Sequence, residues 1–232
     1  MKLLFVQLLQ IIASCYFVAL TTQIQKIKIN GSSFKICNFE TMQPIIQNIS
    51  KHVSLTPEEQ ALFLSKTETK TVKAKSVLLH SGTVVKHTYF VNSGILRSFY
   101  INDNIIENVL HFACTGWWIG DMYSYISEKP GNLFIEVLED AEVVILSKEN
   151  HQELYQKIPK LERFFRILAE NSLIAHQQRL MENLTLTAED RFEKFCTKYP
   201  SLIQNIPQKH IASFIGVTPE FFSKMKARML KK

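Results

Sequence analysis

Cysteine, glycine and proline are all sparse in these 232 residues. Four cysteines, seven glycines and seven prolines leave no collagen-like period and no low-complexity bulk, and they exclude a disulfide-dense secreted scaffold. Cys15, Cys37, Cys114 and Cys196 stand far apart, with no C-x-x-C pair and no histidine at ligand spacing. A zinc site, an iron-sulfur cluster and a thioredoxin-type pair are therefore not expected, and the usage suits a reducing, cytoplasmic compartment. Also missing are the phosphate-cradling patterns G-x-x-x-x-G-K-[ST] and G-x-G-x-x-G, and the hydrolase patterns G-x-S-x-G and H-E-x-x-H. No nucleophile with a placed base takes their place, so neither an enzyme nor a bound cofactor is expected.

What is present is 46% hydrophobic and 21% charged, enough for one large or two small domains with real cores. The formal net charge of +6 is unevenly placed. Residues 202–232 carry Lys209, Lys224, Lys226, Arg228, Lys231 and Lys232 against the single acid Glu220. Residues 1–41 carry Lys2, Lys26, Lys28 and Lys35 against Glu40, and the middle is slightly acidic. A basic end on an acidic body points to one module that meets phosphate, the alternative being a solvated lysine-rich tail.

Residues 3–20 are nearly all apolar after the lone cation Lys2, and Ile12-Ala13-Ser14-Cys15 has the look of a lipoprotein cleavage box. Three readings stand side by side: a signal or lipid anchor, a membrane-tethered regulator, and a translation start placed too far upstream with Met42 as the initiator. The last is preferred, because residues from 42 onward read as a complete cytosolic unit and residues 21–40 have no clear period.

Residues 44–50 and 56–65 read as short helices, the second opened by Thr56, Pro57 and Glu58-Glu59 in helix order. About eight strands follow, at 69–72, 76–80, 89–91, 95–101, 105–112, 117–119, 133–138 and 142–146. Turn signals such as Asn92-Ser93-Gly94, Pro130-Gly131 and Glu139-Asp140 separate them. Such spacing without βαβ alternation implies an antiparallel roll of the jelly-roll type, hence an α+β protein. A short helix over 148–156 and a long one from Pro159 come next. Leu161, Phe164, Phe165, Leu168, Leu173, Ile174, Ala175, Leu180, Met181 and Leu184 cover more than one side of the long helix. One side on the roll and another on a second copy would account for that spread, the alternative being a wholly intramolecular core helix. Thr187 caps a further helix over 188–199, stopped by Pro200.

Residues 208–214 form a short helix, Gly216 breaks it, and Thr218-Pro219-Glu220 opens another. Two such helices around a glycine turn make a helix-turn-helix pattern, with Ile211, Ala212, Ile215, Val217, Phe222 and Met225 as its interior. The outer face of the second helix offers Pro219, Glu220, Ser223, Lys224 and Arg228. Glutamate accepts from cytosine N4, lysine donates to guanine O6 or N7, and hydroxyls and arginine hold phosphate.

A roll, a long helix and the ending Ile206-Pro207-Gln208-Lys209-His210-Ile211-Ala212-Ser213-Phe214-Ile215-Gly216-Val217-Thr218-Pro219-Glu220 resemble the Crp/Fnr family of transcription regulators over residues 42–232. Tyr89-Phe90-Val91-Asn92-Ser93-Gly94, Trp117-Trp118-Ile119 and 158–165 are similar to members from Bacteroidetes. The resemblance implies a cyclic-nucleotide-binding-like roll over 42–158, a dimerisation helix over 159–185 and a winged helix-turn-helix over 186–232. It further implies a homodimer on a palindromic operator in double-stranded DNA, a small-molecule effector not identified by the sequence, and RNA polymerase as a partner. DNA contacts fall by that resemblance on Gln208, Thr218, Pro219, Glu220, Phe221, Ser223, Lys224 and Arg228, with Phe221 departing from the usual hydroxyl residue. The other reading is a ligand-binding signalling module tethered through residues 3–20, with weak or no DNA binding.

The sensor half departs more from the family. Cyclic-nucleotide binders carry a Gly-Glu pair for the ribose and, about ten residues on, an arginine for the cyclic phosphate. Here the matching positions read Gly120-Asp121 and then Pro130-Gly131-Asn132, so the ligand pocket would be built from Gly120, Asp121, Gly131 and Asn132 without the arginine. Burying a phosphate with no cation costs several kcal/mol, so cyclic AMP is not expected as the ligand, unless Lys129 or Arg97 reaches in. A haem ligand would have to come from His80, His87 or His111.

Overall fold

The structure is a computed structural model that describes residues 43–230. The readings of residues 1–41, and with them the start, anchor and signal alternatives, lie outside the described residues. Among the described residues, no helix is long and apolar enough to cross a membrane.

Two short helices come first, α1 (Pro44–Ser50) and α2 (Pro57–Ser65). Thr56 closes a capping box on α2: its hydroxyl accepts from the Glu59 amide, and the Glu59 carboxylate accepts from the Thr56 amide at 2.7 Å. The Lys160 ammonium at 2.7 Å from Glu59 holds that carboxyl below the usual carboxylate range.

The roll follows, as β1 (Glu68–Val72), β2 (Val77–Leu79), β3 (His87–Ile101), β4 (Glu107–Cys114), β5 (Trp118–Ile119), α3 (Met122–Ser127) and β6 (Phe134–Ser147). All pairings are antiparallel, in the order β1-β6-β3-β4, with β2 also on β6 and β5 on β3. Among the described residues there are six strands rather than about eight, because two of the anticipated breaks are bends inside longer strands. At Asn92-Ser93-Gly94 the register against β6 shifts without ending β3, and Gly94 takes φ +89°. Glu139-Asp140 likewise lies within β6. Each of these strands of 15 and 14 residues is long enough to bend and so serve both walls of the roll.

After β6 the chain is helical: α4 (Lys148–Lys157), α5 (Lys160–Thr185), α6 (Ala188–Lys198), α7 (Leu202–Asn205), α8 (Gln208–Ile215) and α9 (Pro219–Met229). Among the described residues no strand follows β6, so the wing implied by the resemblance is not found among them. Of α5's 26 residues only Leu161 and Phe164 are buried, while Leu173, Ile174, Leu180, Met181 and Leu184 are 51–78% exposed.

One core fills the roll interior around Val91, Leu96, Ile135 and Val143, and a second joins α1 and α2 to α4 and the start of α5. The third decides how the helical half is held. It unites Ile95, Phe99, Val109 and Phe112 of β3 and β4 with Phe192, Phe195, Ile211, Ile215, Phe222 and Met225 of the C-terminal helices. The C-terminal helices are thus seated on the outside of the roll.

Candidate nucleic-acid interface

The turn between α8 and α9 is set by local chemistry. Gly216 takes φ +80°, and the Val217 amide donates back to the Ala212 carbonyl at 3.0 Å, which closes α8. Thr218 then caps α9, its hydroxyl accepting from the Phe221 amide at 3.2 Å, with Pro219 at the first position. Ile211, Ala212, Ile215, Phe222 and Met225 are all buried between the helices, as their sequence pattern requires.

All eight residues assigned to DNA are exposed, and six of them, Thr218 to Phe221 with Ser223 and Lys224, share one end of the motif. Glu220 and Lys224 stand one turn apart on α9. Phe221 is 44% exposed, an apolar ring presented to solvent beside them. The hydroxyls are partly committed: that of Thr218 to its cap, and that of Ser223 to the Pro219 carbonyl at 2.9 Å. Arg228 turns away from this cluster, its guanidinium donating to Glu189 of α6 at 2.9 Å. Gln208 opens α8, apart from the others on the preceding helix.

The four residues assigned to a ligand pocket divide differently. Asp121 is 2% exposed and caps α3, its carboxylate accepting from the Ser124 amide at 3.1 Å. Gly131 is packed on that carboxylate so closely that a Cβ there would lie 2.1 Å from it. Gly131 is also pinned on both sides, its carbonyl accepting from the Gly82 amide and its amide donating to the Thr83 carbonyl. The Ser124 hydroxyl donates to the Lys129 carbonyl at 2.6 Å and accepts from the Val85 amide. Gly120 is half-buried and Asn132 exposed. The stretch is knit by its own hydrogen bonds, with the acid and the glycine brought together.

Arg97 does not face that stretch. It is 3% exposed, donates to Glu136 at 2.6 Å, meets Glu107 at 2.7 Å, and donates through Nη1 to His210 Nδ1 at 2.8 Å. His210 accepts this bond only as a neutral imidazole, and burial with the adjacent Arg97 and Lys209 charges pushes its pKa down to about 4. Burial works to raise Glu107, but the Arg97 guanidinium outweighs it and holds the carboxyl below its ordinary range.

A second cation finishes the seating. β4 is an edge strand, and its register slips at Leu110. The Val109 amide and Glu107 carbonyl are taken by the Ser213 hydroxyl, at 2.9 and 2.8 Å. Arg179 of α5 takes the Val109 and Leu110 carbonyls, and the Phe214 carbonyl of α8 at 2.7 Å. The edge is therefore covered by α5 and α8 rather than by another strand. The sequence reading placed no role on Arg179, His210 or Ser213. A strongly basic side chain inside an apolar helical stripe was the one sign of Arg179.

His80 and His87 are exposed, and His111 stacks on Trp117 with ring centroids 5.7 Å apart. Among the described residues no group of three or more His, Cys, Asp or Glu side chains is placed to hold a metal ion.

Residues 69–158 match the family model of the cyclic nucleotide-binding domain. Among curated proteins, the chain is 23% identical over 180 residues to an anaerobic regulatory protein of Aggregatibacter actinomycetemcomitans, covering 70% of this chain and 66% of that one. It is 20% identical over 180 residues to regulatory protein HlyX of Actinobacillus pleuropneumoniae, covering 70% and 71%. The chain thus spans about two thirds of the length of these relatives. In the solved structure of the c-di-GMP responsive global regulator CLP of Xanthomonas campestris, the TM-score is 0.63 at 17% identity, covering 76% of this chain and 92% of that one. A crp/fnr-family regulator from Eubacterium rectale gives 0.61 at 16%, covering 76% and 84%. At such identities the structural likeness shows the fold. The class is a cyclic-nucleotide-binding roll joined to a helix-turn-helix. Within it, this chain is similar in sequence to these bacterial regulatory proteins and in fold to the crp/fnr-family regulator from Eubacterium rectale.

Proposed function

We propose that this chain is a sequence-specific DNA-binding transcription regulator that works as a homodimer in the cytoplasm. The carrying observation is the α8–α9 motif, whose capped second helix presents Thr218, Pro219, Glu220, Phe221 and Lys224 to solvent above a fully apolar interior. Glu220 and Lys224 read base edges, Thr218 and Ser223 lie toward the phosphate backbone, and Phe221 meets a thymine methyl. Gln208 contributes a further backbone contact from α8, and Arg228 does so only by leaving Glu189. The exposed apolar residues of α5 take the same stripe of a second copy, so that two α9 helices address half-sites about 34 Å apart.

The roll of this regulator does not take cyclic AMP. Asp121 already caps α3, Gly131 is packed on it, and no arginine stands where the cyclic phosphate would sit, since Arg97 is committed to Glu107, Glu136 and His210. Contact with RNA polymerase follows from the regulator reading and has no residues assigned to it.

Selection of bound DNA from a random pool, with protein purified without added ligand, tests the reading. A palindrome with two half-sites is the expected product, and enrichment of no sequence would overturn it. Lys224→Ala is expected to weaken operator binding by roughly tenfold and to relax preference at one base pair, as read by gel shift.

A further inference from the structure

Where β4, α5, α6 and α8 meet, the structure forms a half-open cavity of about 700 Å³, within the size range of small-molecule sites. It touches every working part: Leu110 and His111 of the roll, Arg179 of the long helix, and Lys198, Tyr199 and Phe214 of the DNA-reading half. At about 100° per residue, the α5 positions that line it, among them Ala175, Arg179 and Glu182, lie opposite the exposed Leu173, Leu180 and Leu184. A second copy seated on that apolar stripe therefore leaves the cavity open.

The charges around it are unbalanced. Arg179 and Arg191 are both half-buried, and both donate only to backbone carbonyls, Arg191 to Ile215 at 2.9 Å and Leu186 at 2.7 Å. Neither guanidinium has a carboxylate against it, and the three bonds of Arg179 leave donors unused out of five. Arg179 also lies over the Phe214 ring, 4.0 Å from its centroid, but half-buried cations met by carbonyl dipoles and a ring face remain short of countercharge. The acids on the wall do not supply it. Glu182 is held by Lys194 at 2.8 Å, Asp190 by the Thr187 cap, and Glu193 is exposed. Lys198 rests over the Tyr199 ring with no acid partner, and the His111 imidazole makes no hydrogen bond. Burial first, and the His176, Arg179 and Lys198 charges after it, drive the His111 pKa down to about 4, so its imidazole is neutral at pH 7.

We propose that this cavity binds a small organic anion, a carboxylate or phosphate ester on an apolar body, received by Arg179, Lys198 and His111. Its apolar body lies against Tyr199, Phe214 and Leu110. Because Arg179 also clasps the β4 edge to α8, the bound anion sets how firmly the helix-turn-helix is seated on the roll. This gives the proposed regulator a site for an effector, and only that last step rests on the regulator reading.

The test uses the full chain, with phenyl phosphate as probe, benzoate as a second anion and phenol as the neutral control, followed by calorimetry and by the indole signals of Trp117 and Trp118. Phenyl phosphate is expected to bind with Kd on the order of 1 mM or tighter and phenol not to bind. Lys198→Ala and His111→Gln are each expected to weaken phenyl phosphate about fivefold to tenfold, and Arg179→Gln by more. If Arg179→Gln fails to fold, the two other variants decide. Absence of binding by both anions at about 10 mM, or binding that all folded variants leave unchanged, overturns the proposal. Anion binding without selective DNA binding would keep the cavity and remove the regulator reading, and the converse would do the reverse.

Discussion

Lowering the pH from 7 to 5 should destabilise this protein through three histidines. Burial is the leading cause that pushes His111, His151 and His210 each down to about 4 from an ordinary 6.5. A depressed histidine is neutral in the fold and takes up a proton on unfolding, so stability is lost as pH falls from the unfolded value toward the folded one. At pH 5 each contributes a loss of about 2 kcal/mol, so the three together remove on the order of 6 kcal/mol. That rivals the ~5–15 kcal/mol total stability of an ordinary domain. The carboxylates run the other way in range: Glu107, Glu153, Asp140 and Asp190 are held low by their partners, and their contribution is lost only as pH falls below about 4.5. Between pH 6.5 and 5 the histidines act alone. Urea unfolding at half-unit steps should show uptake of nearly three protons near pH 5.5, and His151→Phe should remove one. Stability unchanged to within about 1 kcal/mol over this window would refute the reasoning.

Other perturbations are as direct. Gly94→Ala would set a Cβ 2.6 Å from both the Ala141 Cβ and the Asp140 carbonyl at φ +89°, and should cost on the order of 3 kcal/mol in denaturant unfolding. Arg97→Gln removes a cation that is 3% exposed from two carboxylates and His210, with an expected loss of roughly 3 kcal/mol or more and looser helix-turn-helix amides in hydrogen exchange. Leu180→Asp, at a position 61% exposed, should leave the melting temperature of the roll alone while shifting sedimentation toward a monomer.

The reading motif was the most legible part, because its signals are local. A capping threonine, a proline at the first position and a glycine at the turn act within a few residues, and Gly216 and Thr218 take the conformations their types favour. The roll was legible in class but not in count. Asn92-Ser93-Gly94 and Glu139-Asp140 have turn composition, yet the flanking residues stay paired to β6 and β3 and convert each break into a bend. The least legible features act across distance: Arg97 meets His210 113 residues away, and Arg179 meets Leu110 69 residues away. No periodicity announces such pairs. Arg97 was weighed only as a phosphate partner, and what commits it elsewhere is an acid on each neighbouring strand. Asp121 was read as one wall of a ligand pocket. Its short side chain instead reaches back to the Ser124 amide and caps the helix that follows it.

The covered edge of β4 has a consequence for anyone who would divide the molecule. Freed of α5 and α8, that strand would present bare amides and carbonyls beside Ile95, Phe99, Val109 and Phe112, an open invitation to pair with its own kind. The roll, produced by itself, should therefore self-associate more readily than the intact chain. Each half thus keeps the other from sticking to its neighbours.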